Sequence, residues 1–419
     1  MSFTCRRTAA WAFLLVLMPA IGVFADHAYV TNRGGTTVNV FDTTTNIELA
    51  LSPVTVGSGP MAIAADRPPS VAPQQVFVAN SGSSTVSVIS NSPLAVVATI
   101  SSDGFFGPFQ TPTGVTLASD GVVGPTIAMV DQAITTYQLG GLQSGRCTIR
   151  FIDPATNSVV DAFQEPSPNA RYTDVVFTSD PSTGNRRIWI SDDGDQGVTV
   201  LKLNSSVGPP FGMGQLITYG STGFADFVES TAKPPTFLVA PRRLATNGTN
   251  RVVVADNGSK IVTILDGNYV STATLGQPGA VLANVDLSTF GGAPAPAPAF
   301  TCVDVKVVGN IAYVTTSNAS GAGANCYQIN LTTFAITASV ALAGGTGVQG
   351  GLGVTSDGAT LYVGAGVSGS GAITQLNINP STNFTAVAPV AVGPFTGGNF
   401  PFAFASSSTV AGGGGGGGG

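Results

Sequence analysis

Asp192, Asp193 and Asp195 fall within four residues of one another. Carboxylates at that density offer the hard oxygen ligands that calcium takes. The segment lacks the further ligands and the closing glutamate of an EF-hand loop, so a solvated turn is the expected reading. Calcium is the weak alternative, and no other cofactor is indicated. Arg242 and Arg243 form a second candidate, since paired guanidiniums placed at a channel mouth would meet an anionic group with fork-like hydrogen bonds. His27 is the single histidine. Haem ligation, copper clusters, histidine-assisted nucleophiles and His-rich zinc sites all need imidazole, so the chain is short of the groups for that chemistry. No residue is assigned as catalytic.

The cysteines say something about compartment and bonding. Of the 4 cysteines, Cys5 lies before an apolar run near the N-terminus. Arg6 and Arg7, the uncharged run from Thr8 to Gly22 and Val23-Phe24-Ala25 read as an export signal, with cleavage between Ala25 and Asp26. The run falls at or below the about 17 residues that span a bilayer, which argues against a membrane anchor. Export leaves Cys147, Cys302 and Cys326 in an oxidising compartment, with Cys302 and Cys326 as the pair to consider. Strands two apart lie roughly 9 to 10 Å from each other, beyond the usual disulfide reach of about 7 Å. Either the loop ends bend inward to form the bond, or both remain buried free thiols.

These groups must be positioned by β structure. Hydrophobic residues make up 43% and charged residues 9% of the 419, with 54 Gly and 27 Pro, a composition of strands and turns rather than helices. Net charge is −6, and −8 once Arg6 and Arg7 are removed with the signal. Such a surface repels phosphate backbones, so nucleic acid is not an expected partner. After the signal, no stretch is apolar and long enough to span a membrane.

A strand ending in a polar turn recurs seven times, beginning near Ala28, Val76, Ile127, Ile188, Val252, Ala312 and Leu361. A period of about 50 to 60 residues means repeated sheets around an axis, because a single unit cannot bury its own apolar face. Turn segments recur as well: Asp42 to Asn46, Asp153 to Asn157 and Asn379 to Asn383 have an Asx residue that bonds the backbone ahead of it. The segment Ala28-Tyr29-Val30-Thr31-Asn32, followed by Val38-Asn39-Val40-Phe41-Asp42, resembles the YVTN-family β-propeller repeat. The resemblance extends from residue 27 to about 406, although the literal motif occurs once and the copies from 127 to 260 depart furthest.

The expected fold is all-β: a seven-bladed propeller of four-stranded blades over 26–408, preceded by the signal (1–25) and followed by a flexible Gly-rich tail (409–419). Innermost strands are predicted at 60–66, 112–119, 172–179, 241–246, 302–308, 350–355 and 400–406. The first three strands have no innermost partner before them, so 400–406 must close blade 1 from the C-terminal side.

Three long insertions, 131–147, 219–241 and 274–301, are expected on the top face, where the connections from outer to inner strand and from second to third strand emerge. Long loops on a rigid scaffold are where recognition usually lives. Phe105, Phe106, Phe109, Phe224 and Phe227 would supply contact area there, unless they pack onto the blades. The leading expectation is an exported, non-catalytic scaffold, periplasmic, secreted or at the cell surface, that binds a protein, glycan or surface component. The alternatives are a lactonase-like hydrolase, since lactonases occur among related seven-bladed propellers, and a structural surface-layer or matrix repeat.

Overall fold

A computed structural model describes residues 27–65, 74–104, 106–118, 126–132, 147–164, 170–180, 185–194, 196–203, 226–229, 238–268, 281–290, 300–318, 325–342, 351–355, 358–367, 370–378, 384–390 and 401–407. The signal segment, the glycine tail, Phe105, Phe224 and Asp195 lie outside these residues.

Seven antiparallel sheets of successive strands form seven blades. The second blade shows the plan: Pro60–Ala65 is innermost, followed by Gln75–Asn80, Thr85–Asn91 and Leu94–Ile100. The other inner strands are Pro112–Ala118, Tyr172–Asp180, Pro241–Thr246, Phe300–Val308, Leu352–Val354 and Pro401–Ser407. Pro401–Ser407 pairs with His27–Asn32 and completes blade 1, as the strand count requires. The outer strand of that blade is split into Ile47–Glu48 and Val54–Thr55, which pair with opposite ends of Thr37–Asp42.

Alternation along each second strand explains why the units cannot stand alone. Tyr29 packs with Ile63, Val78 and Ile89 of blade 2, whereas its neighbours Ala28 and Val30 pack with Tyr362 and Ile373 of blade 7. Every blade thus contributes both faces to the core, and seven apolar clusters fill the seven blade-to-blade interfaces. The tyrosine hydroxyls add polar ties. Tyr29 Oη donates to Asn91 Oδ1 at 2.7 Å, and Tyr362 Oη donates to Asn46 Oδ1 at 2.9 Å, each reaching the following blade.

The third-to-outer turns follow the Asx logic. Asp42 Oδ1 accepts from the Thr44 and Thr45 amides, and Asn46 takes a φ of 55°. Asp153 and Asn157 repeat this arrangement. A further copy appears at Asn330, where the residue with positive φ is Phe334, so the sequence pattern alone did not reveal it. The Asn379 to Asn383 copy lies outside the described residues.

Two of the three expected insertions are not single loops. Asp226–Glu229 is the outer strand of blade 4, and Val281–Asp286 is the outer strand of blade 5. The first is only four residues long, and each carries Asp or Asn within it, so neither stands out from the flanking polar sequence. The top-face connections there shorten to 230–240 and 287–299, and the latter starts with a 3-10 turn at Leu287–Thr289. The insertion after Asp131 does join second to third strand at the top of blade 3.

Candidate functional site at the top mouth

The site is built on a bulge. In five blades one residue near the start of the inner strand drops out of register with the second strand, namely Met61, Thr113, Thr173, Arg242 and Val303, and blade 1 has a similar shift between Pro401 and Phe404. An extra residue of this kind re-aims the side chains beside it. It places these five, with the residues that follow them, at one height around the top of the ring.

Several of these positions make blade-to-blade ties. Thr113 Oγ1 donates to the Tyr172 carbonyl at 2.9 Å, and Thr173 Oγ1 donates to the Pro241 carbonyl at 3.1 Å. One position later, Asp174 Oδ2 accepts the Leu244 amide at 3.0 Å, and Asp304 Oδ2 accepts the Leu352 amide at 2.6 Å. Where blades 2 and 3 have Ala62 and Gly114, blades 4, 5 and 6 have Asp174, Arg243 and Asp304. Charge is therefore gathered on one side of the mouth.

The inner tier of this cluster is nearly dry. Arg243 Nη1 lies 4.0 Å from Asp174 Oδ1, with side chains 13% and 14% exposed. Burial raises the Asp174 carboxyl above its ordinary range and Asp304 adds to this, against the pull of Arg243 and the Leu244 amide. The outer tier is open to water. Arg171 Nε is 2.9 Å from Asp193 Oδ1, and Arg242 Nε is 3.6 Å from Asp193 Oδ2. The two arginine side chains are 58% and 51% exposed, while Asp193 is 7% exposed.

A fourth guanidinium lies on the same face of the ring. Arg33 sits on the top hairpin of blade 1, separated from blade 5 by blades 6 and 7. Loss of hydration around its guanidinium, then repulsion from Arg243 and Arg242, holds it below its ordinary value.

The predicted residues are therefore partly brought together. Arg242 and Arg243 do stand at the mouth, in separate tiers. Asp193 joins them, whereas Asp192 is fully buried and its Oδ1 accepts from the Arg171 and Gly194 amides at 2.7 and 3.0 Å. Asp192 thus holds backbone amides and Asp193 holds guanidiniums, which is how the Asp192-Asp193 pair differs from a shared ligand set. Among the described residues no group of three or more His, Cys, Asp or Glu converges as a metal site.

The aromatic candidates divide. Phe106 is partly exposed on the top loop, its amide bonded to Asp103 Oδ1. Phe109 is buried, its ring 4.7 Å from the Arg150 guanidinium, so it is core rather than contact surface. The sequence offered only its aromatic type and loop position, which are equally compatible with either role. Phe227 lies in the outer strand of blade 4 opposite Thr199 and is not on a top loop.

Cys302 and Cys326 are free and buried, and no disulfide joins them. Cys302 pairs with Thr316 and Cys326 with the adjacent Thr315, so the two face opposite sides of one sheet. Cys302 packs into the interface of blades 5 and 6, Cys326 into that of blades 6 and 7. Burial pushes both thiols far above their ordinary range, and Asp256 adds to this at Cys302.

The sequence reading missed Arg171, Arg33, Asp174 and Asp304, which are charges spread over three blades. The isolated His27 lies at the other end of its strand, bonded through Nδ1 to Asn91 on the bottom face.

No family model matches the chain, and no curated protein does. Solved structures do. A functionally unknown protein from Desulfotomaculum acetoxidans aligns with a TM-score of 0.60 at 15% identity, over 90% of this chain and 100% of that one. A putative 6-phosphogluconolactonase from Bacteroides fragilis aligns at 0.59 and 15%, over 93% and 99%. The apo form of AztD from Citrobacter koseri aligns at 0.51 and 14%, over 91% and 98%. At these identities the shared property is the fold, a seven-bladed β-propeller.

Proposed function

We propose that this chain is an exported, non-catalytic propeller of the YVTN kind, which uses its top face to bind a protein, glycan or other surface component. The observation that carries this reading is the open tier at the mouth, where Arg171 and Arg242 stand half in water over a buried Asp193. A buried carboxylate fixes their position, and the exposed forks remain available to a partner. Phe106 on the same face adds apolar contact area. The only imidazole is at the opposite end of the ring, so histidine-based proton transfer has no place at this mouth. No described feature favours the lactonase-like or the surface-layer reading over this one.

Export rests on the signal-like N-terminus, and protein secreted by its own host is expected to begin at Asp26. The recognition reading is tested by cosedimentation of the full chain with the envelope fraction of the cells that make it. Arg242→Glu combined with Phe106→Asp is expected to abolish retention, whereas His27→Ala on the bottom face leaves it intact. Equal retention of all three proteins would sink the proposal.

A further inference from the structure

We infer that the top face binds a neutral, hydroxyl-rich glycan chain through Arg171 and Arg242, with Val239 as its apolar contact. This inference rests on the recognition reading above and chooses the glycan among its partners.

Contacts between blades 4 and 5 put these side chains on one surface. Arg242 reaches back from blade 5 to Asp193 in the top hairpin of blade 4, and Gln196 of that hairpin donates to the Val239 carbonyl at 3.5 Å. Arg171 meets the same Asp193 from the connection that enters blade 4. Each guanidinium is held by its ion pair, and neither donates a hydrogen bond among the described residues. Their side chains are 58% and 51% exposed. Fork donors held in place without acceptors suit a ligand rich in oxygen.

Charge at this surface is already balanced. The tops of blades 4 to 6 set Arg171, Arg242 and Arg243 against Asp174, Asp193 and Asp304, and the fully buried Asp192 and Asp256 hold backbone amides in the same region. The chain as a whole carries −6. An anion therefore gains little long-range attraction, whereas a neutral oxygen still gains the arginine donors. A protein partner would be anchored by aromatic or large apolar side chains at the centre of the contact. Beside the arginine pair stands Val239, 44% exposed, while the exposed phenylalanines, Phe106 and Phe290, belong to the connections entering blades 3 and 6. One aliphatic contact flanked by fork donors fits a sugar, whose hydroxyls accept from the guanidiniums while its C–H face covers Val239.

Cosedimentation of the full chain with the envelope fraction of the cells that make it tests this, with the envelopes untreated, digested with protease, or oxidised with periodate, which cleaves vicinal diols. Untreated and protease-treated envelopes are expected to retain the chain equally, and periodate-oxidised envelopes to lose it. Raising NaCl from about 0.1 to about 1 M should change retention by less than about twofold, because screening has no net charge to act on. Arg171→Ala and Arg242→Ala should each weaken it about tenfold. Lys260→Ala removes the same charge from another top-face position, where Lys260 pairs with Asp286, and should leave retention unchanged. Retention that survives periodate overturns the inference, as does equal weakening by Lys260→Ala. A larger fall in salt also overturns it, since that marks an anionic partner. Retention lost to protease names a protein instead, and the glycan assignment falls while the recognition reading stands. If untreated envelopes retain nothing, the recognition reading falls with it.

Discussion

Arg150, in the third strand of blade 3, is buried and hydrogen-bonded to Asp131 at 2.5 Å, to Asp103 and to Thr148. Phe109 stacks on it, and Asp131 also accepts the Gln110 and Thr111 amides, so one guanidinium pins the whole connection from 101 to 111. Removing one partner from a buried charge network leaves the others unpaired in a low dielectric. Arg150→Met is expected to destabilise the protein by about 3 to 5 kcal/mol, measured by denaturant unfolding. Burial already holds the Asp131 carboxyl above its ordinary range, with Arg150 as the largest opposing pull. A carboxyl raised on folding costs stability above its folded pKa, and that cost vanishes below its unfolded one. The variant's deficit should therefore be largest at neutral pH and shrink on acidifying toward about pH 4, where unfolded carboxylates protonate. A deficit independent of pH would show that lost packing, not the unpaired carboxylate, dominates.

At the scale of elements, close approach between neighbouring inner strands accounts for two glycines. A Cβ on Gly114 would lie 2.9 Å from the Asp174 Cα in the next blade. On Gly353 it would meet the Phe404 side chain at its root, with Cγ at 2.8 Å, in the interface between blades 7 and 1. Phe404 is buried and cannot swing aside from its own Cβ. Gly353→Ala is expected to cost about 1 to 3 kcal/mol, read as a lowered thermal midpoint with the top-face ligand site unchanged. The inner and second strands were legible in the sequence because they are buried on both faces and read as apolar runs, as in Val76-Phe77-Val78-Ala79. Outer strands were less so. Asp226–Glu229 is four residues long and the two pieces of blade 1's split edge are two each, and such short segments mixed with polar residues look like loop.

The whole molecule depends on one joint, the pairing of Pro401–Ser407 with His27–Asn32. It fills the inner position of blade 1 and places Phe404 and Ala405 into the interfaces on either side. Deleting 401–407 exposes two apolar faces and an unpaired strand edge. Loss of the single cooperative unfolding transition, with aggregation in light scattering, is the expected outcome. A truncated chain that melts as sharply as the intact one would mean that the ring does not need its closure.

The amino-acid sequence by itself determined the number of blades, the four-stranded plan, the positions of the inner strands along the chain and the C-terminal closure. Each follows from local periodicity, turn chemistry and the arithmetic of unpaired strands, all of which repeat along the chain. The tertiary structure alone decided which charges meet. Arg33, Arg171, Asp174, Asp193, Arg242, Arg243 and Asp304 come from four blades and span most of the chain, and no spacing rule connects them. Only the ring, by setting equivalent positions at one height around an axis, brings them to a common mouth. The same geometry separates Cys302 from Cys326 although both belong to one blade, because adjacent positions on a strand face opposite interfaces.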